Sequence, residues 1–280
     1  MDIPCDLKKN KIIHMKKNIW NHYQKVKSSS PLVHNITNYV VMNNTANALL
    51  SAGASPIMAH ALEEMEDMVR ISGALVINIG TLSPQWIAAM KLAIKQANKL
   101  NKPVVFDPVG AGASAYRNKT ISELLSIGKY AVIRGNASEL MAVASSENHT
   151  KGVDSVNTLE QAFGSAQYLS KKQDNVICMS GKTDVIIYKD KIAKIFNGHE
   201  MMGKVTGLGC SATALIGAFV AVSDDYFSAT VSAMAIMGVA GEIAANGSAG
   251  PGSLQLNFLD KLYNITEEEF LQHIKLETNV

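Results

Sequence analysis

The chain has 280 residues, 47% of them hydrophobic, 18% charged and only 6% aromatic, with the apolar content carried by Ala, Val, Ile, Leu and 13 Met. So much apolar material with so little charge excludes a disordered chain, and the length suffices for one large α/β domain or two smaller ones. The net charge of +2 hides an asymmetry: residues 1–30 hold seven Lys against Asp2 and Asp6, so the remainder is acidic, and no basic stripe marks a nucleic-acid partner.

In chain order, residues 1–30 predict a helical extension. The segment is charged from the start and lacks the apolar stretch of a secretory signal. Ile12, Ile13, Ile19 and Trp20 suggest one apolar face, with the lysines in water. From about residue 32 to 180, short β-branched runs alternate with helix-length segments, the pattern of a mostly parallel sheet covered by helices on both faces. Strands are expected at 32–36, 74–79, 104–107, 131–134 and 175–180, and helices near 38–52, 62–72, 84–99, 115–126, 136–145 and 158–172. Ser83 before Pro84, and Asn157 before a turn carrying Glu160, are helix-start signals.

Beyond residue 180 the period changes. Residues 185–188 and 192–196 read as an antiparallel hairpin at the sheet edge. Two nearly uncharged helices follow near 208–222 and 226–246, then a Gly/Pro-rich break at 246–252 and a polar C-terminal helix or two. Residues 205–223 carry no charge. Their helical part, 211–223, spans about 20 Å against the roughly 30 Å of a membrane core, so a buried helix is expected and no membrane partner. Without repeats or a linker, residues 31–280 form a single α/β domain. Cys5, Cys178 and Cys210 make no CxxC pair, which argues against a disulfide framework or zinc site and fits a reducing cytoplasm.

The chemistry concentrates where strands end. Gly207-Leu208-Gly209-Cys210 runs into a helix of small residues, so backbone N–H groups and the positive end of the helix dipole converge on an anion hole. Glycines that merely let the helix pack closely are the competing explanation. Gly209 is followed by Cys210-Ser211 rather than Lys, and the one GKT in the chain, at 181–183, has Val176 where the first glycine of GxxxxGK would stand, so neither is a Walker A loop. Asp107-Pro108-Val109-Gly110 ends one strand, and Arg134-Gly135-Asn136-Ala137-Ser138-Glu139 ends another and opens a helix. Asn136 and Glu139 could form a capping box and nothing more. Together, however, Asp107, Arg134, Glu139 and the glycine loop fall on one sheet edge, where open α/β sheets bind ligands. Arg134 suits phosphate oxygens, and the two acids suit magnesium. Cys210, at a helix N-terminus, is expected to have a lowered pKa and is a candidate base. His34 reads as a satisfied core residue; Met58, after Gly53-Ala54-Ser55-Pro56, is a candidate for lining an apolar pocket.

The segments at 31–38, 53–58, 78–83, 107–113, 134–139, 151–154 and 206–210 together resemble the hydroxyethylthiazole kinase family, in order and with matching spacing from about residue 31 to 250. The resemblance implies a ribokinase-like three-layer sandwich. It also implies phosphorylation of the hydroxyl of 5-(2-hydroxyethyl)-4-methylthiazole with ATP and Mg²⁺, in cytoplasmic thiamine salvage, by a homotrimer whose active sites lie between subunits. By position it implies that Met58 and Gly207 contact the thiazole, that Asn35 contacts substrate or phosphate, that Arg134 and Ser180 contact the nucleotide, and that Asp107 and Glu139 lie near magnesium. Cys210 and Gly209 then stand at the reacting atoms. Most ribokinase relatives carry Asp where this chain has Cys210. This disfavours the rival activities, a hydroxymethylpyrimidine kinase or an ATP-dependent NAD(P)H-hydrate dehydratase, while a non-catalytic thiazole or nucleotide sensor would have lost residues that are present here. About ten more residues precede Pro31 than the family leads one to expect, and a longer docking helix is the simplest account of them.

Overall fold

A computed structural model of the protein describes residues 5–148 and 159–280. Its centre is a nine-stranded sheet. The strands are β1 (Leu32–Ile36), β2 (Ser55–Ile57), β3 (Ala74–Asn78), β4 (Val104–Asp107), β5 (Val132–Asn136), β6 (Val176–Ser180), β7 (Asp184–Tyr188), β8 (Lys191–Ile195) and β9 (Leu276–Thr278). Their spatial order is β2-β1-β3-β4-β5-β6-β7-β8-β9. The first six in that order are parallel, and β7, β8 and β9 add antiparallel. β3 and β4 are buried at every position, as expected of parallel strands covered on both faces.

Side-chain alternation splits the core in two. Val33, Val76, Val105, Val132 and Val176 face one layer, formed by α1 (Cys5–Ser29), α2 (Met42–Ser51), α8 (Leu208–Val220), α9 (Tyr226–Asn246), α10 (Pro251–Asn264) and α11 (Glu267–His273). Ile36, Ile77, Phe106, Ile133 and Ile177 face the other, formed by α3 (Met65–Ile71), α4 (Pro84–Lys99), α5 (Ala115–Ile127), α6 (Ala137–Asn148) and α7 (Leu159–Gln173). The result is the expected three-layer sandwich. At α4 the cap is as read: Pro84 is the first helical residue and the Ser83 hydroxyl accepts from the Trp86 N–H. Asn157 and residues 151–154 lie outside the described residues.

Three features differ from the sequence expectation. The hairpin is not the sheet edge, because β9 pairs with β8 and covers it. β2 lies at the opposite edge, where Pro56 sacrifices no ladder hydrogen bond. The lysines of α1 are not all simply solvated. Trp20 and Tyr23 of α1 pack on Phe270 and Phe219, the former pair stacked at 5.9 Å between ring centroids. Around them Lys16 donates to the Ile274 carbonyl at 3.1 Å, Lys27 to that of Tyr263 at 2.8 Å, and Lys25 to that of Val222. These carbonyls stand at the C-terminal ends of α11, α10 and α8, where backbone acceptors lack helical partners and cations are favourable. The side chains of Ile12 and Ile13 lie outside the described residues.

Among the described residues one helix, α9, is long and apolar enough to cross a membrane, and 83% of its most apolar stretch is buried inside the fold. α8 lies flat on the sheet because Gly217 has no side chain: a Cβ there would stand 2.6 Å from Val76 Cγ2 and 3.0 Å from Val33 Cγ1. Gly217→Ala should therefore destabilise the protein by about 1–3 kcal/mol through overpacking, read as a lowered urea midpoint. An unchanged midpoint would mean that α8 can lift off the sheet without penalty.

Candidate active site

The carboxyl ends of β3, β4, β5 and β6 meet the N-terminus of α8. Asp107 closes β4 opposite Asn78, the last residue of β3, and is 1% exposed. Its Oδ2 accepts from Asn78 Nδ2 at 2.9 Å and from Thr213 Oγ1 at 2.7 Å, and Arg134 Nη1 stands 3.8 Å away. Oδ1 is buried with no partner. Burial pushes the Asp107 pKa up to about 6, against the pull of Arg134 and the two hydrogen bonds.

Arg134 projects from β5 onto the first turn of α8. A Cβ on Gly209 would lie 3.1 Å from its Nη1, so the bare glycine is what lets the guanidinium reach the helix. Gly207, the N-cap of α8, has φ +89°, a left-handed conformation suited to glycine. A Cβ there would also press on Val41 Cγ1 at 2.9 Å.

Cys210 Sγ accepts from the side-chain amides of Asn38 and Asn78, each at 3.3 Å. The expected lowering of its pKa is corrected here. Burial and the neighbouring Asp107 carboxylate raise it, outweighing the amide donors and Arg134, so the resting group is a thiol. Glu139 does form the capping box: its Oε2 accepts from the Asn136 N–H while Asn136 Oδ1 accepts from the Glu139 N–H, both at 2.9 Å. Its other oxygen accepts from the Gly110 N–H at 2.8 Å, so the same carboxylate ties the turn after β4 to that after β5.

Ser180, at the end of β6, shares with Arg134, Gly209, Asp184 and Lys182 a cleft of about 850 Å³ that continues between Asn197, Met202 and Met237. Asp184, at the start of β7, accepts from the Gly181 N–H, and burial raises its pKa to about 6 as well. Met58 and Asn35 stand apart from this cleft. Met58 is half-buried just beyond β2, beside Ala59, whose carbonyl is bonded to His34 Nε2 at 2.9 Å. Asn35 is fully buried within β1, its Nδ2 donating to the Val33 carbonyl.

Sequence reasoning missed Asn38, Asn78, Thr213 and Asp184. Asn78 had one usable signal: it is a polar residue terminating an otherwise apolar buried strand. Thr213 lies one turn beyond Gly209 on the helix that meets Asp107. Among the described residues no group of three or more His, Cys, Asp or Glu gathers as a metal cage.

Fold and site together place the chain among the ribokinase-like small-molecule kinases. The likeness in fold extends to a pyridoxal kinase from Staphylococcus aureus in complex with AMP-PCP, with a TM-score of 0.58 at 15% identity over 76% of this chain and 88% of that one. The sequence model of the hydroxyethylthiazole kinase family matches residues 23–268, and the chain belongs to that family. It is 54% identical over 261 residues to the hydroxyethylthiazole kinase of Leptospira biflexa serovar Patoc, covering 93% of this chain and 98% of that protein. The structure of hydroxyethylthiazole kinase protein from Pyrococcus horikoshii OT3 superimposes with a TM-score of 0.88 at 41% identity, covering 94% of this chain and all of that one.

The raised pKa of Asp107 carries a stability signature. Between pH 3.8 and about 6 the folded protein holds a proton on Asp107 that the unfolded chain has released, so this group's contribution to stability falls as pH rises through that window. Asp184 acts in the same direction. Urea midpoints followed from pH 4 to pH 6 should show Asp107→Asn losing part of this pH slope; a native slope in the variant would place the titration elsewhere.

Proposed function

We propose that the protein transfers the γ-phosphoryl group of ATP to the primary hydroxyl of 5-(2-hydroxyethyl)-4-methylthiazole, in thiamine salvage. The observation that carries this is the α8 N-terminus: it opens through Gly207 and Gly209, bears Arg134 on one side, and is set at the mouth of a cleft of nucleotide dimensions.

The roles follow from placement. First-turn N–H groups of α8 have no helical acceptor and face the migrating phosphoryl group, and Arg134 and Ser180 hold the nucleotide phosphates. Asp107 and Glu139 would hold Mg²⁺. The unpartnered Asp107 Oδ1 fits this, since magnesium takes one or two carboxylates and completes its shell with water and phosphate oxygens. The ion supplies neutralisation of phosphate charge. Gly207 and Met58 border the thiazole, and Asn35, whose buried Oδ1 has no partner, is the further contact to substrate or phosphate.

In the reaction a bond forms between the alcohol oxygen and γ-phosphorus while the bond from γ-phosphorus to the β,γ-bridging oxygen breaks, releasing ADP. The alcohol proton leaves late, to a phosphate oxygen either directly or through the Cys210 thiol, which gives up its own proton to that oxygen as it accepts, with positioning and charge stabilisation carrying most of the catalysis. A thiol whose pKa is raised is no ready base for a ground-state alcohol, which agrees with late transfer.

The protein is further proposed to be a cytoplasmic homotrimer with active sites between subunits and with no nucleic-acid or membrane partner. Tyr39 and Val40, 68% and 60% exposed, sit between Asn38 and Val41 at the site and are apolar enough to seek a neighbour. Light scattering at assay concentration should report three chains; a monomer mass would refute the shared site.

Incubation with Mg-ATP and the thiazole alcohol should give the phosphorylated product by mass. Turnover of a pyrimidine alcohol instead would overturn the assignment. Cys210→Ser is expected to lower kcat about tenfold to a thousandfold, and full activity would remove Cys210 from the proton path.

A further inference from the structure

Arg117 lies in the first turn of α5, where its own N–H is capped by Ser114 Oγ. It spends its guanidinium on backbone carbonyls. Nη1 donates to the Ile79 carbonyl at 2.5 Å and to that of Val109 at 2.7 Å, and Nη2 donates to that of Gly80 at 2.7 Å. The first and third belong to the turn after β3, the second to the turn after β4. Gly110, at φ +73°, makes room for the fork: a Cβ there would stand 3.3 Å from Arg117 Nε.

A trans peptide points its C=O and its N–H in opposite directions. The Ile79 carbonyl and the Gly80 N–H belong to one such unit. Its carbonyl end is held by Arg117, and its N–H end donates to Asn78 Oδ1 at 2.9 Å. The Val109 carbonyl and the Gly110 N–H form another, held by Arg117 at one end and donating to Glu139 Oε1 at 2.8 Å at the other. With Oδ1 of Asn78 taken by Gly80 and Asn38, its Nδ2 is left to face Asp107 Oδ2 and Cys210 Sγ. One cation therefore orients two peptide planes, and each plane orients a side chain of the site.

We infer that Arg117 is a positioning residue, which fixes Asn78 and Glu139 through these two peptides and so sets Asp107 and Cys210 in line for phosphoryl transfer. The inference rests on the proposed kinase activity. Lysine is no substitute, because a single ammonium cannot reproduce the planar fork over carbonyls of two separate turns.

The test compares the native protein with Arg117→Ala and Arg117→Lys. Arg117→Ala should lower kcat about a hundredfold while KM for the alcohol moves less than about threefold, as expected when alignment rather than ground-state binding is lost. Guanidinium chloride, but not sodium chloride at the same ionic strength, should restore part of that kcat. A kcat within about twofold of native, or a loss that guanidinium does not relieve, would overturn the inference. If Arg117→Ala does not fold by circular dichroism, Arg117→Lys decides on the same split of kcat from KM. A readout independent of turnover is the rate of iodoacetamide reaction at Cys210, with Cys210→Ser as blank. Loss of the Asn78 donor should slow it, and an unchanged or faster rate counts against Arg117. Should the native protein not phosphorylate the alcohol at all, the kinase assignment falls and the alkylation comparison still decides the role of Arg117.

Discussion

A carboxylate held out of water at the end of a parallel strand is the constraint around which the site is arranged. Asp107 cannot be buried as an anion without compensation. The fold supplies it from three directions: an amide from the neighbouring strand, a hydroxyl from α8 and a guanidinium from β5. Each donor fixes an element. Asn78 sets the depth of β3 against β4, Thr213 sets the rotation of α8, and Arg134 is drawn across the helix terminus. The same two hydrogen bonds and one ion pair that make the charge tolerable therefore bring the anion-binding turn to the acid.

The helix that carries this turn is almost free of charge, and the packing explains why. Residues 205–250 contain only Asp224, Asp225 and Glu242 as charged residues, because α8 and α9 are enclosed by the sheet on one side and by α1, α2 and α10 on the other. In such surroundings a backbone dipole is screened little by water, so first-turn N–H groups act more strongly on an anion than they would at the surface. Small side chains let the helix approach the sheet, and Gly217 marks the closest approach.

Much of this was legible beforehand, for reasons that differ by element. β3, β4 and β6 stand out as unbroken apolar runs, since both faces of a parallel strand are covered. β2 did not stand out, because Ser55-Pro56-Ile57 is three residues long and proline argues against a strand until its edge position is known. β9 reads Leu276-Glu277-Thr278 and owes its pairing to β8 rather than to any pattern of its own. In the site, Asp107, Arg134 and Glu139 were visible as charges in an apolar region, at strand ends marked by Pro and Gly. Asn38, Asn78 and Thr213 were not, because a neutral polar side chain shows its use only once register places its partner. The Cys210 pKa went the wrong way for a related reason: the helix terminus was visible in the sequence, but burial and the adjacent Asp107 were not.

The extension α1 gives α8 a property that the charge distribution alone does not. A helix dipole acts within about a turn of either end, and the 13 residues of α8 separate Lys25 from the anion hole by about 20 Å. Lys25 therefore does not tune the phosphate site electrically. What it does is mechanical: with Tyr23 packed on Phe219 and Lys25 bonded to the Val222 carbonyl, α1 acts as an end stop on α8. Axial travel of that helix is resisted at the end remote from the chemistry, and the position of its open N-terminus is set in part by a segment packed against its opposite end.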